Sequence, residues 1–244
     1  MEGAKSPLGS YELPTGVKVD EVGVIKNIIF REMTGIEEDV LASQKMLTAT
    51  KLTQIIANCI TKFGDIEDRA QINAFAKRLV VTDRWGCLLQ LRSLSVGNIF
   101  TFVTTCPDSE CAHKDKVDYD LAQIKIERPP NADELFREFE LADGRKIRWK
   151  IADGAVEEKI EKIATDQNKA TVGLYARVDS IDGKPAGIES IKILPMKERS
   201  RFRNAIEKEE GDFDDEYKAT CPKCHNEYTS DMELSGSEFF FPSE

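Results

Sequence analysis

Histidine is scarce in this chain: His113 and His225 are the only two in 244 residues. An acid–base centre would therefore have to be built from carboxylates, and the many Asp and Glu residues form no arrangement that sequence distinguishes from ordinary surface. The patterns GxxxxGK(S/T), GxSxG and HExxH and a Gly-rich dinucleotide fingerprint are all absent. That removes the residues on which phosphate cradling, serine hydrolysis, zinc proteolysis and Rossmann-type cofactor binding depend. Cations are outnumbered, 34 Lys and Arg against 44 Asp and Glu, for a net charge of −10 and a pI near 5.0. Such a balance opposes non-specific binding to nucleic acid, whose phosphates must be met by clustered Lys and Arg. No apolar run approaches the roughly 20 residues that cross a bilayer, and no basic segment followed by an apolar stretch opens the chain. A soluble, intracellular protein without a membrane span is expected. At this length it can bury a sizeable core, as one large domain or two modest ones.

Against these absences stand two cysteine pairs in copies of one short motif. The first copy reads TTCPDSECAHKDKVDYDL and the second ATCPKCHNEYTSDMEL. Thr105, Cys106 and Pro107 match Thr220, Cys221 and Pro222 at a constant offset. After a two-residue difference, Cys111, Asp118, Asp120 and Leu121 match Cys224, Asp231, Glu233 and Leu234, again at one offset. A thiolate knuckle supplies two ligands from a tight turn and tetrahedral zinc needs four, so two knuckles facing each other make a closed site. Cys106, Cys111, Cys221 and Cys224 are thus candidate ligands of a structural Zn2+. Two local disulfides, or thiols packed as small apolar residues, are the plainer alternatives. A thioredoxin-like redox pair would open a helix, whereas the residues after Cys224 alternate in strand fashion, with Tyr228, Met232 and Leu234 on one face. His113 and His225 rank below the cysteines as substitute ligands. Lys114, Lys116, Lys218 and Lys223 flank the sulfurs, and positive charge there favours thiolates. Catalytic zinc keeps an open position, usually on three protein ligands; four matched cysteines predict a closed, non-enzymatic site.

The remaining pattern predicts an α+β fold with an N-terminal helical region, a split four-cysteine zinc-ribbon-like β module and an inserted small α/β region. Residues 1–33 form an N-terminal arm and strand, the arm extended over 1–20 with an alternating piece at Tyr11 to Val19 that reads as a hairpin or edge strand. Residues 34–95 are helical. Thr34, Gly35, Ile36 and Glu37 have the order of a capping box. The stripe Leu52, Ile55, Ile56, Cys59, Ile60 and Phe63 marks a helix that Gly64 is placed to stop. Ile72, Phe75, Leu79 and Val80 mark another, and Asp83 stands as the cap of a third carrying Trp85, Leu88, Leu89 and Arg92. Cys59 and Cys87 fall on core faces. Residues 96–125 together with 214–244 make the split module, Phe100 and Phe102 leading into its first knuckle and Val117, Tyr119 and Leu121 leading out. Residues 126–213 are the insertion, with a hairpin turning at Asp143-Gly144, a helix over 155–164, a strand over 172–181 turning at Asp182-Gly183, and a charged helix from Pro195 to about Glu210. Its Lys197, Arg199, Arg201 and Arg203 read as a solvated mixed-charge face. Near the C-terminus Phe239, Phe240 and Phe241 either fold back onto the chain's own sheet or dock on a neighbour.

LLQLRSLSVGNIF, the first knuckle and VDYDLAQIKI together resemble the baseplate hub and hub-assembly proteins of T-even-type contractile-tailed phages. SYELPTGVKV, the helices ending in IIANCI and the second Cys-bearing segment extend the resemblance over most of the chain. It implies a non-enzymatic structural or assembly component of a tail baseplate hub, made in the host cytoplasm and located in the virion, with the four cysteines as zinc ligands. Its expected partners are other baseplate and hub proteins, met through the N-terminal arm, residues 126–213 and Phe239, Phe240 and Phe241. Two rivals use the same cysteines: a zinc-ribbon adaptor for nucleic acid or transcription machinery, and a thiol redox sensor that releases metal on oxidation.

Overall fold

The computed structural model describes residues 9–20, 22–232, 234 and 237–240. Its first two strands, β1 (Ser10–Val19) and β2 (Gly23–Phe30), pair antiparallel with a bulge between Glu12 and Val17. Leu13 and Val17 are buried. The expected extended arm is thus, over residues 10–19, a paired strand of the core, because its alternation puts apolar side chains where a sheet face can bury them; residues 1–8 lie outside the described residues. Helix α1 (Gly35–Ala42) has both halves of its capping box, the Thr34 hydroxyl accepting from the Ile36 amide and the Glu37 carboxylate from the Thr34 amide. Helix α2 (Thr48–Cys59) ends five residues before Gly64, and the chain passes directly into β3 (Ile60–Phe63), which joins β2. Gly64 turns the chain after the strand, not the helix. The apolar stripe hid this boundary because Ile60 and Phe63 are buried in the strand as they would be in a helix. Arg69 donates to the carbonyls of Ala57 and Ile60 at 2.5 Å, satisfying groups that a glycine cap would otherwise serve.

Helices α3 (Arg69–Arg78) and α4 (Val81–Ser95) complete this region. Asp83 lies inside the first turn of α4 and does not cap it. Its carboxylate instead accepts the amides of Thr15 and Gly16 at the β1 bulge, both at 2.8 Å. A nearby strand with two unpaired amides out-competes the local cap.

The hairpin β4 (Ile99–Thr105) and β5 (Lys114–Asp120) follows, then a 3-10 turn at Leu121–Gln123 and the short β6 (Ile126–Glu127). Strands β7 (Phe136–Glu140) and β8 (Lys146–Lys150) turn at Asp143-Gly144 as expected. Helices α5 (Gly154–Ile163) and α6 (Lys169–Tyr175) precede β9 (Val178–Ile181) and β10 (Lys184–Pro185). The strand expected over 172–181 is therefore helix in its first part: Val172 and Ala176 are one helical turn apart as well as alternating, and the turn closed by Asn168 Oδ1 on the Thr165 amide leads into α6. The four strands form a sheet in the order β10-β9-β8-β7. Helices α7 (Ile188–Lys192) and α8 (Met196–Glu209) close this unit, and Pro195 is the residue before α8. Then β11 (Asp212–Phe213) returns to pair with β6, so the chain leaves the unit beside the point where it entered. Last come β12 (Glu216–Thr220), β13 (Glu227–Asp231) and the short α9 (Ser237–Phe240).

One apolar cluster joins β1–β3 and α2–α4 to Phe100, Leu121, Met232, Leu234, Phe239 and Phe240; a second, around Trp149, Ile151, Phe202 and Ile206, fills the space between the four-stranded sheet and α8. Burying side chains of this size contributes about 1.5–3 kcal/mol each. Phe239 and Phe240 are fully buried, Phe239 meeting Phe100 edge-on at 5.3 Å and Phe240 at 4.8 Å. The expectation that they meet a partner is corrected: the chain's own core takes them, because Phe100 and Arg92 offer an aromatic and cationic seat. Phe241 lies outside the described residues.

Between the clusters, Arg84 of α4 is buried and reaches both sides. Its Nη1 donates to Thr53 Oγ1 at 2.9 Å and its Nε meets Glu157 of α5 at 2.6 Å. Glu161, also on α5, accepts the amides of Thr48 and Ala49 at the start of α2. The Val81 amide donates to the Ala152 carbonyl and Gly154 to Leu79. No helix among the described residues is long and apolar enough to cross a membrane.

Candidate metal centre

Each knuckle is the tip of a two-stranded hairpin. In the first, the Cys106 amide donates to the His113 carbonyl at 2.9 Å; in the second, the Cys221 amide donates to Asn226 at 2.9 Å. The closing residue is seven positions after Cys106 and five after Cys221, so the two-residue difference between the motif copies is absorbed inside the turn and the strands stay in register. The residue after the second cysteine of each pair, Ala112 or His225, takes a left-handed backbone with φ of 41° and 61°. This equivalence had no sequence signal, because neither position is glycine. It gives His225 a turn-forming role, its amide donating to the Cys221 carbonyl at 2.9 Å. Neither histidine belongs to the sulfur cluster.

The turns face each other. All four Sγ atoms lie within 4.8 Å of one another, with Cys106 and Cys224 at 3.6 Å and Cys111 and Cys221 at 3.7 Å. Both short separations run between the hairpins rather than within a CxxC-type pair, and all six cysteines are free. The local-disulfide reading therefore has no counterpart in the structure. Zinc–thiolate bonds of about 2.3 Å in a regular tetrahedron place sulfurs about 3.8 Å apart, so the donor set fits a tetrathiolate ion in both number and spacing. The amides of Cys224 and Lys223 hold the Cys221 thiol down to about 6, whereas Cys106, Cys111 and Cys224 are raised by burial and by their neighbouring sulfurs, so a single thiolate is favoured while the site holds no cation. Lys114, Lys116, Lys218 and Lys223, which flank the cysteines in sequence, are exposed. By contrast Cys59 and Cys87 are sealed in the helical core, and burial pushes Cys59 up to about 12.

Aromatic contacts position the hairpins beneath the sulfurs. Tyr217 of β12 stands edge-on to Phe102 at 5.6 Å and to Tyr119 at 5.9 Å, and the Tyr228 hydroxyl bonds Thr104 Oγ1 at 3.0 Å. Trp85 of α4 stacks on Phe213 at 4.6 Å, tying β11 to the helices. Among the described residues, this cysteine group is the one cluster of metal-ligating side chains close enough to share an ion. A family model described as T4 bacteriophage base plate protein matches residues 10–242. No curated protein and no solved structure matches the chain.

Proposed function

The chain belongs to the T4 bacteriophage base plate protein family, and on that premise we propose that it is a non-enzymatic structural or assembly component of the hub of a contractile-tail baseplate, with one structural zinc ion held by Cys106, Cys111, Cys221 and Cys224. The support for the metal is the convergence of four sulfurs from two hairpins 110 and 118 residues apart in sequence. Bound zinc supplies no chemistry here beyond cross-linking: four protein thiolates leave no position for substrate. A component of a contracting machine must keep its shape under load. A tetrathiolate clasp serves that need by closing a loop of over a hundred residues, which removes freedom from the unfolded chain.

The site of action is the virion tail, after assembly in the host cytoplasm. Other baseplate and hub proteins are the partners, and residues 126–213 are the segment we assign to them, since that unit builds its own apolar core around Trp149 and Phe202. A nucleic-acid adaptor would need exposed aromatics for bases to stack on. Here Phe102, Tyr119 and Tyr217 pack on one another instead. Elemental analysis of protein purified under reducing, chelator-free conditions should find about one zinc per chain, and almost none in a Cys106→Ser, Cys221→Ser variant. A metal-free, folded wild type would remove the zinc assignment. Electron microscopy of tails carrying a tagged copy should place density at the baseplate hub, and its absence there would remove the hub assignment independently.

A further inference from the structure

Every strand among the described residues except β4 carries at least one ionisable Asp, Glu, Lys or Arg; β4, IFTFVTT, carries none. Charged side chains, bulges and covering loops are how proteins keep free sheet edges from pairing with other chains. The other edges of this molecule use them. β1 is bulged and its amides at Thr15 and Gly16 are taken by Asp83. β5 reads KDKVDYD. On β7 the carbonyls of Phe136 and Glu140 are covered by the guanidinium groups of Arg137 and Arg201. β4 pairs with β5 on one side, in an unbroken register from Ile99 to Thr105, and among the described residues with no strand on the other. Its solvent face carries Ile99 at 55% and Val103 at 61% exposure, two of the larger apolar exposures in the described chain.

The backbone of this edge can be read residue by residue. Hydrogen bonds from Leu121 to Asn98 and from Cys106 to His113 bracket the ladder, so the even-numbered residues between them bond β5. Ile99, Thr101, Val103 and Thr105 turn their amides and carbonyls outward. The Ile99 carbonyl is held by Arg92 at 2.7 Å, and beyond Thr105 the chain bends into the knuckle. Thr101, Val103 and Thr105 remain. That outward row, Thr-Val-Thr, reads the same in both directions, which is the symmetry an antiparallel pairing of two identical strands about a two-fold axis requires.

We propose that the free edge of β4 is a docking site for a second copy of this chain, forming a continuous sheet β5-β4-β4-β5 with Val103 opposite Val103 and Thr101 opposite Thr105. No charge opposes itself in this register, and β-branched cross-strand pairs favour it. Sedimentation velocity of the full, zinc-replete chain over two decades of concentration should show a reversible monomer–dimer equilibrium. Val103→Lys and Val103→Glu should each weaken the dimer at least tenfold with unchanged far-UV dichroism and melting temperature, because each places like charges across the axis. Mixing the two variants at low salt should restore association. A wild type that stays monomeric throughout, or a Val103→Lys variant that dimerises as well as wild type, would overturn the proposal. Folded Lys and Glu variants that do not associate with each other would overturn the Val103-centred register. Protection of β4 amides from exchange only within assembled tails would replace the second copy with a strand from another subunit. Zinc content measured on the same samples separates a failed edge from a failed metal site.

Discussion

Asp83 and Glu37 are both buried carboxylates, and their surroundings push them in opposite directions. Desolvation raises Asp83 to about 6, although the amides of Thr15 and Gly16 pull the other way. At Glu37 desolvation also raises the value, but the guanidinium of Arg31 and the groups of Thr34 outweigh it and hold the carboxyl at about 2. A carboxyl raised on folding contributes stability that is present below its ordinary value and lost as pH rises through the folded one. Asp83 should therefore cost stability between pH 4 and pH 7. Glu37 does the reverse, its contribution being present above the usual carboxylate range and lost as pH falls towards 2. Urea unfolding should find the stability difference between Asp83→Asn and wild type shifting in the variant's favour by about 1–3 kcal/mol as pH rises from 4 to 7, on top of a constant cost for the one amide that Asn cannot accept. Asp83→Ala, which leaves two buried amides without an acceptor, should be less stable than wild type by about 2–3 kcal/mol. A flat difference between the Asn variant and wild type would show that Asp83 does not titrate in this range. Residues with a matched copy elsewhere in the chain were legible from sequence, as the four sulfurs were. Asp83 was not, because a capping carboxylate and a strand-edge carboxylate look alike until the strand is in place.

Helix starts divide in the same way according to where the capping group resides. The α1 cap could be read because Thr34 and Glu37 are three residues apart. The start of α2 could not: Leu47 offers no side-chain cap, and the amides of Thr48 and Ala49 are taken by Glu161, over a hundred residues away. A negative charge at a helix N-terminus both satisfies amides and opposes the dipole. Glu161→Ala should cost about 1 kcal/mol in denaturant unfolding. Arg84→Ala should cost about 1–3 kcal/mol, since the buried Thr53 hydroxyl and Ala49 carbonyl would lose their donor and the half-buried Glu157 its partner. Equal, small effects from the two substitutions would mean that α5 is not fastened to α2 and α4 as described. Hairpins were the most legible elements, their turns set by Asp143-Gly144, Asp182-Gly183 and the knuckles themselves. Boundaries inside continuous apolar stripes, at Ile60 and at Ala176, were not, because burial alone does not distinguish a helix face from a strand face.

At the scale of the molecule, the two hairpins rest on aromatic contacts below and on sulfur proximity above. If the four sulfurs hold zinc as proposed, removing it should loosen the tips while the apolar floor around Phe100, Phe239 and Phe240 persists. Hydrogen exchange after chelation should rise in 99–120 and 216–231 and stay near its starting level in β7, β8 and β9, with a lower melting temperature. Uniformly increased exchange would instead mean that the clasp holds the whole chain. Acid should mimic chelation, because thiolates must be deprotonated to bind the ion. That residues 106 and 221 come together was suggested by the motif repeat. That β6 and β11 pair was not, since two-residue strands carry no periodicity.

The distance in sequence between the knuckles also sets an order in time. Cys111 leaves the ribosome 110 residues before Cys221, an interval of roughly 5–20 s at ordinary rates of synthesis. Throughout that interval the nascent polypeptide displays two of its four clustered thiols, and the phenylalanine plug that seals the helical core has not yet been made. Translation stopped anywhere before Cys221 yields a product with two of the four clustered thiols and without Phe239 and Phe240, so synthesis of residues 221–240 decides which copies attain this shape.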